Sequence, residues 1–227
     1  MPRVSAPIPV SCDWTLELAA RDTGALRIAG VDEVGRGPVF GPVVAAAVIL
    51  PRDCAIDGLN DSKKLTEKTR LALDTEIRAS AVAWAIASVD VETIDRINIR
   101  QASLLAMHRA VEQLALSPDY LLIDGVDTIE WPCRQQSVIH GDGASVSIAA
   151  ASILAKVYRD RLIVELDQQY PGYGLARHKG YGTAAHLAAL KRLGPTPLHR
   201  RSFNPIAQTR LPFAPSTDEF DAAPCHR

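Results

Sequence analysis

Apolar and polar positions along the chain fall into blocks whose period changes. Residues 27–34 and 43–50 are nearly continuous apolar runs separated by Gly and Pro, as expected of neighbouring buried strands. Residues 81–89, with Trp84 and Ile86, predict a third strand, Tyr120-Leu121-Leu122-Ile123 a short fourth, and Ser137 to His140 a brief fifth. Between these runs the period lengthens. Thr66 is placed to cap a helix reaching Ala79, with Leu73 and Ile77 on its buried side. Residues 92–115 repeat apolar positions at Ile94, Ile97, Leu104, Val111 and Leu114, close to a helical period. A further helix over 144–169 starts with small residues (Ala149, Ala150, Ala151) that allow close approach to a sheet. After Pro171 several glycines turn the chain into a last helix over 184–193, closed by Gly194-Pro195. Strands followed by alternating helices and strands indicate an α/β fold with a mixed sheet.

The 227 residues suit one domain with appendages. Residues 1–26 read as an N-terminal extension that packs on the domain without joining its core. Residues 27–206 form the domain, with a small C-terminal helical segment from about 171. Residues 207–227, rich in Pro, Ser, Asp, Glu and Ala towards the end, predict a disordered tail. No stretch approaches the roughly 18 uninterrupted apolar residues of a membrane helix. The start of the chain lacks a signal-peptide pattern. Cys12, Cys54, Cys133 and Cys225 are scattered without a Cys-x-x-Cys pair, which points to a reducing compartment and no structural zinc. A cytoplasmic monomer that does not engage membranes is the expectation.

The formal net charge of −1 conceals an asymmetry. Residues 1–167 carry 17 Lys/Arg against 23 Asp/Glu, whereas residues 168–217 carry 7 Lys/Arg, 3 His and no acid. This looks like a phosphate-facing surface beside an acidic core, although a solvated basic face without a partner would read the same way.

The chemistry concentrates in residues 28–42, Ile-Ala-Gly-Val-Asp-Glu-Val-Gly-Arg-Gly-Pro-Val-Phe-Gly-Pro. Asp32 and Glu33 end an apolar strand, and Arg36 is the only nearby cation. Buried carboxylates need compensation, from Arg36 or from a divalent metal. Neighbouring side chains on a regular strand leave opposite faces. Gly35, Gly37 and Pro38 therefore suggest that the strand ends or bulges, swinging both acids to one place. Asp124 ends its strand similarly, and Asp142 sits at the mouth of the helix over 144–169. Clustered carboxylates favour hard divalent cations, and a pair of such ions roughly 3.5–4 Å apart is a recurrent device for phosphodiester hydrolysis. Taken singly, Asp142 could equally cap a helix and Asp124 could be a turn residue. A nucleotide-binding dehydrogenase is disfavoured, because carboxylates precede the glycines where they would repel pyrophosphate. A non-catalytic hybrid-binding module would need the basic block but not four acids.

Together these residues resemble ribonuclease HII, the type 2 ribonuclease H family. The resemblance rests on motifs in order: Gly30-Val31-Asp32-Glu33-Val34-Gly35-Arg36-Gly37-Pro38, Leu59-Asn60-Asp61-Ser62-Lys63-Lys64-Leu65, Ile123-Asp124-Gly125 and Gly141-Asp142. They continue with residues 149–157, Arg159-Asp160, His178-Lys179-Gly180-Tyr181 and Arg200-Arg201-Ser202-Phe203. It implies a ribonuclease H-like catalytic domain, a mixed central sheet flanked by helices. It further implies cleavage of the RNA strand of RNA–DNA hybrids and incision 5′ of ribonucleotides in duplex DNA. Asp32, Glu33, Asp124 and Asp142 become the catalytic set holding two Mg²⁺ or Mn²⁺ ions. Gly35, Arg36 and Gly37 would read the ribose 2′-hydroxyl through backbone groups, and Tyr181 would lie against the following deoxyribose. Unaided, Tyr181 reads more readily as a packed aromatic near a helix start. Lys63, Lys64, Arg177, Lys179, Arg200 and Arg201 are the candidates for phosphate contact. Position 140 departs from the family, with His where Lys is frequent. The sister ribonuclease HIII carries an additional N-terminal domain for which 26 leading residues are too few.

Overall fold

The computed structural model describes residues 12–204, except 53 and 55, and residues 206–209. Five strands form one sheet: β1 (Ile28–Val34), β2 (Val43–Ile49), β3 (Ala83–Val89), β4 (Tyr120–Asp124) and β5 (Arg134–Val138). Their order is β3-β2-β1-β4-β5. β2 runs antiparallel to both β1 and β3, whereas β4 lies parallel to β1 and β5 parallel to β4. The sheet is therefore mixed, as expected. β2 is buried along its whole length, because helices cover both faces.

One face is covered by α3 (Val91–Glu112), which packs on Ala29 and Val31 of β1, alternate residues of β2 and β3, and Leu121 and Ile123 of β4. The other face is covered by α2 (Glu67–Ser80) and α4 (Val146–Gln169). Thr66 caps α2 as expected, accepting the Thr69 N–H at 3.2 Å, and Ser145 caps α4 through Ile148 N–H at 3.1 Å. The small residues of α4 have a direct purpose. A Cβ on Gly30 would stand 2.1 Å from the Ser147 carbonyl carbon, so β1 and α4 touch backbone to backbone.

Three expectations are corrected. The segment before β1 contains α1 (Thr15–Asp22), whose Leu16 and Ala20 join Ala25, Ile28 and Leu122 in a buried cluster; it belongs to the core. β5 starts earlier than Ser137, because Arg134 to Ser137 are polar residues on an edge strand and leave no apolar pattern. The helix over 92–115 is broken at Asn98, which has φ 66° and ψ 164° and recaps the continuing helix by accepting Gln101 N–H at 3.1 Å. Beyond α4 come α5 (Leu175–His178), α6 (Ala184–Leu193) and a short 3₁₀ turn (Ile206–Thr209). The disorder expected for the tail concerns residues that otherwise lie outside those described. Among the described residues no helix is long and apolar enough to cross a membrane, and Cys12, Cys54 and Cys133 are free thiols.

Candidate active site

β1 does not bulge at its acids. It stays paired with β2 through Asp32↔Ala46, Glu33↔Ala45 and Val34↔Val44, while its pairing with β4 stops at Val31↔Ile123. Asp32 and Glu33 thus overshoot the end of β4 on opposite faces of one regular strand. Asp124 ends β4 beside them. Asp32 is 5% exposed and lies beside Ser152 of α4, whose hydroxyl works to lower its carboxyl. Its Oδ1 also accepts the Glu33 N–H at 2.7 Å. The Glu33 carboxylate is paired through Oε1 with Arg36 Nη1 at 3.0 Å, while its Oε2 is buried without a partner.

Asp142 comes from the turn between β5 and α4. His140 adopts a left-handed φ of 57° there, and Asp124 Oδ1 accepts the Gly141 N–H at 2.7 Å, which ties the turn to the end of β4. Lys63 Nζ lies 3.3 Å from Asp142 Oδ2. Its loop is anchored from below: Ser62 Oγ meets Ser152 Oγ at 3.0 Å, and Arg70 donates to the Ser62 and Leu65 carbonyls. Ser152 therefore ties the Lys63 loop to one turn of α4, beside Asp32.

The electrostatics follow from that crowding. Burial first, and then Glu33, Asp124 and Asp142, push Asp32 well above the usual carboxylate range. Burial raises Glu33, with Arg36 working against it, and burial raises Asp142, with Lys63 working against it. Burial would lower Lys63, but Asp142, with Asp61 and Asp32 behind it, raises the ammonium overall. The four acids thus sit within electrostatic range of one another. Among the described residues, however, no three His, Cys, Asp or Glu side chains form a ready coordinating cage. The donor set is all oxygen, one buried carboxylate oxygen is unpartnered, and burial makes Asp32, Glu33 and Asp142 resist ionisation, so Mg²⁺ or Mn²⁺ fits these residues.

Gly35 has φ +94°, and a Cβ there would strike Arg159 Nε at 2.2 Å, so both conformation and space require glycine. A Cβ on Gly37 would meet the Tyr181 ring at 3.5 Å, which places that ring, 45% exposed, directly beside the glycine loop. Lys63, Lys64, Arg36, Arg177 and Arg201 are exposed and Lys179 is half-buried. Arg200 corrects the expectation of a phosphate contact. It is fully buried, with Nε, Nη1 and Nη2 donating to the carbonyls of Gly41, Arg36 and Gly35 at 2.9, 3.0 and 2.6 Å. It props the glycine loop from behind.

Residues 29–206 match the sequence profile of ribonuclease HII. The chain belongs to the ribonuclease HII family. A ribonuclease HII from Geobacter sulfurreducens is 54% identical over 200 residues, covering 88% of this chain and 92% of that protein. The crystal structure of ribonuclease H2 from Pyrococcus horikoshii OT3 superposes with a TM-score of 0.69 at 25% identity, over 81% of this chain and 96% of that one. Ribonuclease HII of Archaeoglobus fulgidus, solved as a complex with PCNA, gives 0.64 at 27% identity over 77% and 94%. The ribonuclease HII resemblance read from the motifs is established, as is the ribonuclease H-like fold. As a ribonuclease HII the chain is a metal-dependent hydrolase of phosphodiester bonds.

Several supporting residues of this ribonuclease HII escaped the sequence reading. Arg159 is buried, donating to the carbonyls of Pro42, Phe40 and Lys179 at 3.2, 3.1 and 3.1 Å. It binds the loop after Gly37 to the turn that carries Tyr181. Glu17 of α1 is 1% exposed and accepts from Ser145 Oγ at 2.6 Å and Ser147 N–H at 2.9 Å at the start of α4. For Arg159 a charge on an otherwise buried stretch of α4 was the available signal; Glu17 offered none.

Proposed function

We propose that this chain is an endoribonuclease that hydrolyses the RNA strand of RNA–DNA hybrids and incises 5′ of ribonucleotides embedded in duplex DNA, leaving 3′-hydroxyl and 5′-phosphate ends. The observation that carries the reading is the adjacency of two parts. Asp32, Glu33, Asp124 and Asp142 lie at the end of the inner strands β1 and β4, the last three within electrostatic reach of Asp32, and the Gly35–Gly37 loop with Tyr181 against Gly37 lies alongside. Asp32, Glu33, Asp124 and Asp142 would hold two Mg²⁺ or Mn²⁺ ions. Bound there, such ions supply Lewis-acid activation of water and charge stabilisation of the leaving oxygen.

The chain's own groups supply the rest. The loop glycines let backbone polar groups reach a 2′-hydroxyl without a side chain in the way, and the hydroxyl alone separates ribose from deoxyribose. Tyr181 lies against the sugar that follows, disfavouring a second hydroxyl there. Lys63, Lys64, Arg177, Lys179 and Arg201 meet the phosphates, which makes binding depend on salt. Arg36 neutralises Glu33 until substrate and cations arrive. The protein acts as a monomer in the cytoplasm.

The test is a labelled duplex bearing one ribonucleotide, incubated with the full chain and Mg²⁺, Mn²⁺ or chelator. A nick on the 5′ side of the ribonucleotide, absent with chelator, is expected. A nick on its 3′ side, or one that survives chelation, overturns the reading.

A further inference from the structure

Behind Tyr181 lie two imidazoles with no exposure to solvent, His186 of α6 and His199. Their hydrogen bonds can run in one direction only. The Tyr181 carbonyl can only accept, so His186 Nδ1, at 2.9 Å, carries the proton. Neutral His186 then presents a lone pair at Nε2, and His199 Nε2, at 3.1 Å, must donate to it. His199 Nδ1 is left as an acceptor, and the Thr196 N–H points at it from 2.9 Å. Every link is satisfied when both rings are neutral. Burial favours that state, lowering His186 and holding His199 down to about 4. A second N–H on either ring would set donor against donor.

The chain of bonds joins the two parts of the site. His199 pairs with Phe40 in a β-bridge and packs edge-on to its ring at 4.9 Å, and the adjacent Arg200 holds the Gly35 and Arg36 carbonyls. His186 reaches the residue whose ring touches Gly37, and the Tyr181 carbonyl is completed by Thr183 N–H at 2.8 Å. Arg159 and the Val39 N–H fix Lys179 and Gly180, the backbone just before Tyr181; the histidine pair fixes Tyr181 itself.

We propose that His199 and His186 are positioning residues that set the distance between Tyr181 and the glycine loop, and hence the preference for an RNA-to-DNA junction over a uniform hybrid. This rests on the reading of Tyr181 given above. The two rings do not touch substrate. They act through the Tyr181 carbonyl.

The experiment compares incision of a duplex bearing one ribonucleotide with cleavage of a uniform RNA–DNA hybrid, in wild type, Tyr181→Ala, His199→Phe, His199→Gln and the Tyr181→Ala/His199→Phe double variant. Phe keeps the packing on Phe40 and Tyr173 but removes the N–H; Gln restores a donor. His199→Phe is expected to lower the junction-to-hybrid ratio roughly fivefold to tenfold, the kinetic equivalent of one lost buried hydrogen bond. His199→Gln returns it towards wild type, and in the Tyr181→Ala background His199→Phe lowers it no further. A ratio moved by Tyr181→Ala but not by His199→Phe, or not recovered by His199→Gln, overturns the positioning role alone. A ratio unmoved by Tyr181→Ala overturns the sugar reading and this role with it. Nitrogen chemical shifts of the ring atoms give a readout independent of activity: protons on His186 Nδ1 and His199 Nε2 are expected, and the opposite tautomers overturn the relay.

Discussion

Gly30→Ala is the sharpest test of how the sheet and its long helix are joined. The new methyl would lie 2.1, 2.2 and 2.4 Å from the Ser147 carbonyl carbon, its oxygen and the Ile148 nitrogen, all backbone atoms that no rotamer change can clear. Relief to ordinary contact requires α4 to move off β1 by about 1.3 Å, and a gap of roughly 0.5–1 Å already forfeits a quarter to a half of the dispersion energy across a contact. The helix buries Ile148, Ala149, Ala150, Ala151, Ile153, Leu154 and Ala155 completely. A loss of about 3 kcal/mol or more is therefore expected, beyond the usual middle of the overpacking range. For a chain of this size that corresponds to a melting temperature lower by roughly 6–12 °C. Cleavage should fall further than unfolding explains, because α4 packs directly on β1, the strand that carries Asp32 and Glu33. The control is Gly143→Ala, beside Asp142, where a Cβ meets nothing within 4 Å and φ is not left-handed; its effect should stay within about 0.5 kcal/mol. Urea and thermal unfolding of both variants decide the matter. A Gly30→Ala protein within about 1 kcal/mol of wild type would refute the backbone contact between β1 and α4.

Three further outcomes are expected. Asp124→Asn should abolish cleavage while leaving hybrid binding largely intact in a filter or anisotropy assay; near wild-type turnover would remove Asp124 from the metal set. Glu17→Ala should lower stability by about 2–3 kcal/mol, because it leaves Ser145 Oγ and Ser147 N–H without their buried charged acceptor; an unchanged melting curve would show that α1 is dispensable. His199 is held down to about 4 when folded, whereas an unfolded histidine titrates near 6.5. Its contribution is therefore full above about pH 6.5 and is lost as pH falls towards 4, by about 3 kcal/mol across that window. His199→Gln should flatten the stability profile there, and a profile identical to wild type would contradict the buried neutral ring.

What the sequence made legible was the pattern that repeats. Alternation and period placed β1 to β4, the body of α2 and α4, and the Thr66 cap; acids closing apolar runs picked out Asp32, Glu33 and Asp124. Features set by a remote partner stayed hidden. Arg200 reads as a surface cation because nothing local reveals that the Gly35, Arg36 and Gly41 carbonyls wait for it. Glu17 lies in a short segment whose apolar content is too slight to announce burial, yet α4 needs its carboxylate. The break at Asn98 is invisible to periodicity, since the side chain recaps the helix and the phase is nearly preserved. The bulge expected after Glu33 is absent: β1 continues straight, leaving Asp32 and Glu33 on opposite faces, and its pairing with β4 ends at Val31.

The central claim is that buried, mutually repelling carboxylates at the ends of β1 and β4 await divalent cations. The most direct measurement is the thermal stability of wild type and Asp32→Asn at neutral pH, without metal and at saturating Mn²⁺. Burial and the neighbouring acids raise the Asp32 pKa in the fold, so ionising it opposes folding above the unfolded value, and the metal-free Asp32→Asn protein should melt higher than wild type. Mn²⁺ should then stabilise wild type far more than the variant. Equal responses to Mn²⁺ in the two proteins, with no gain from Asp32→Asn in its absence, would contradict the account.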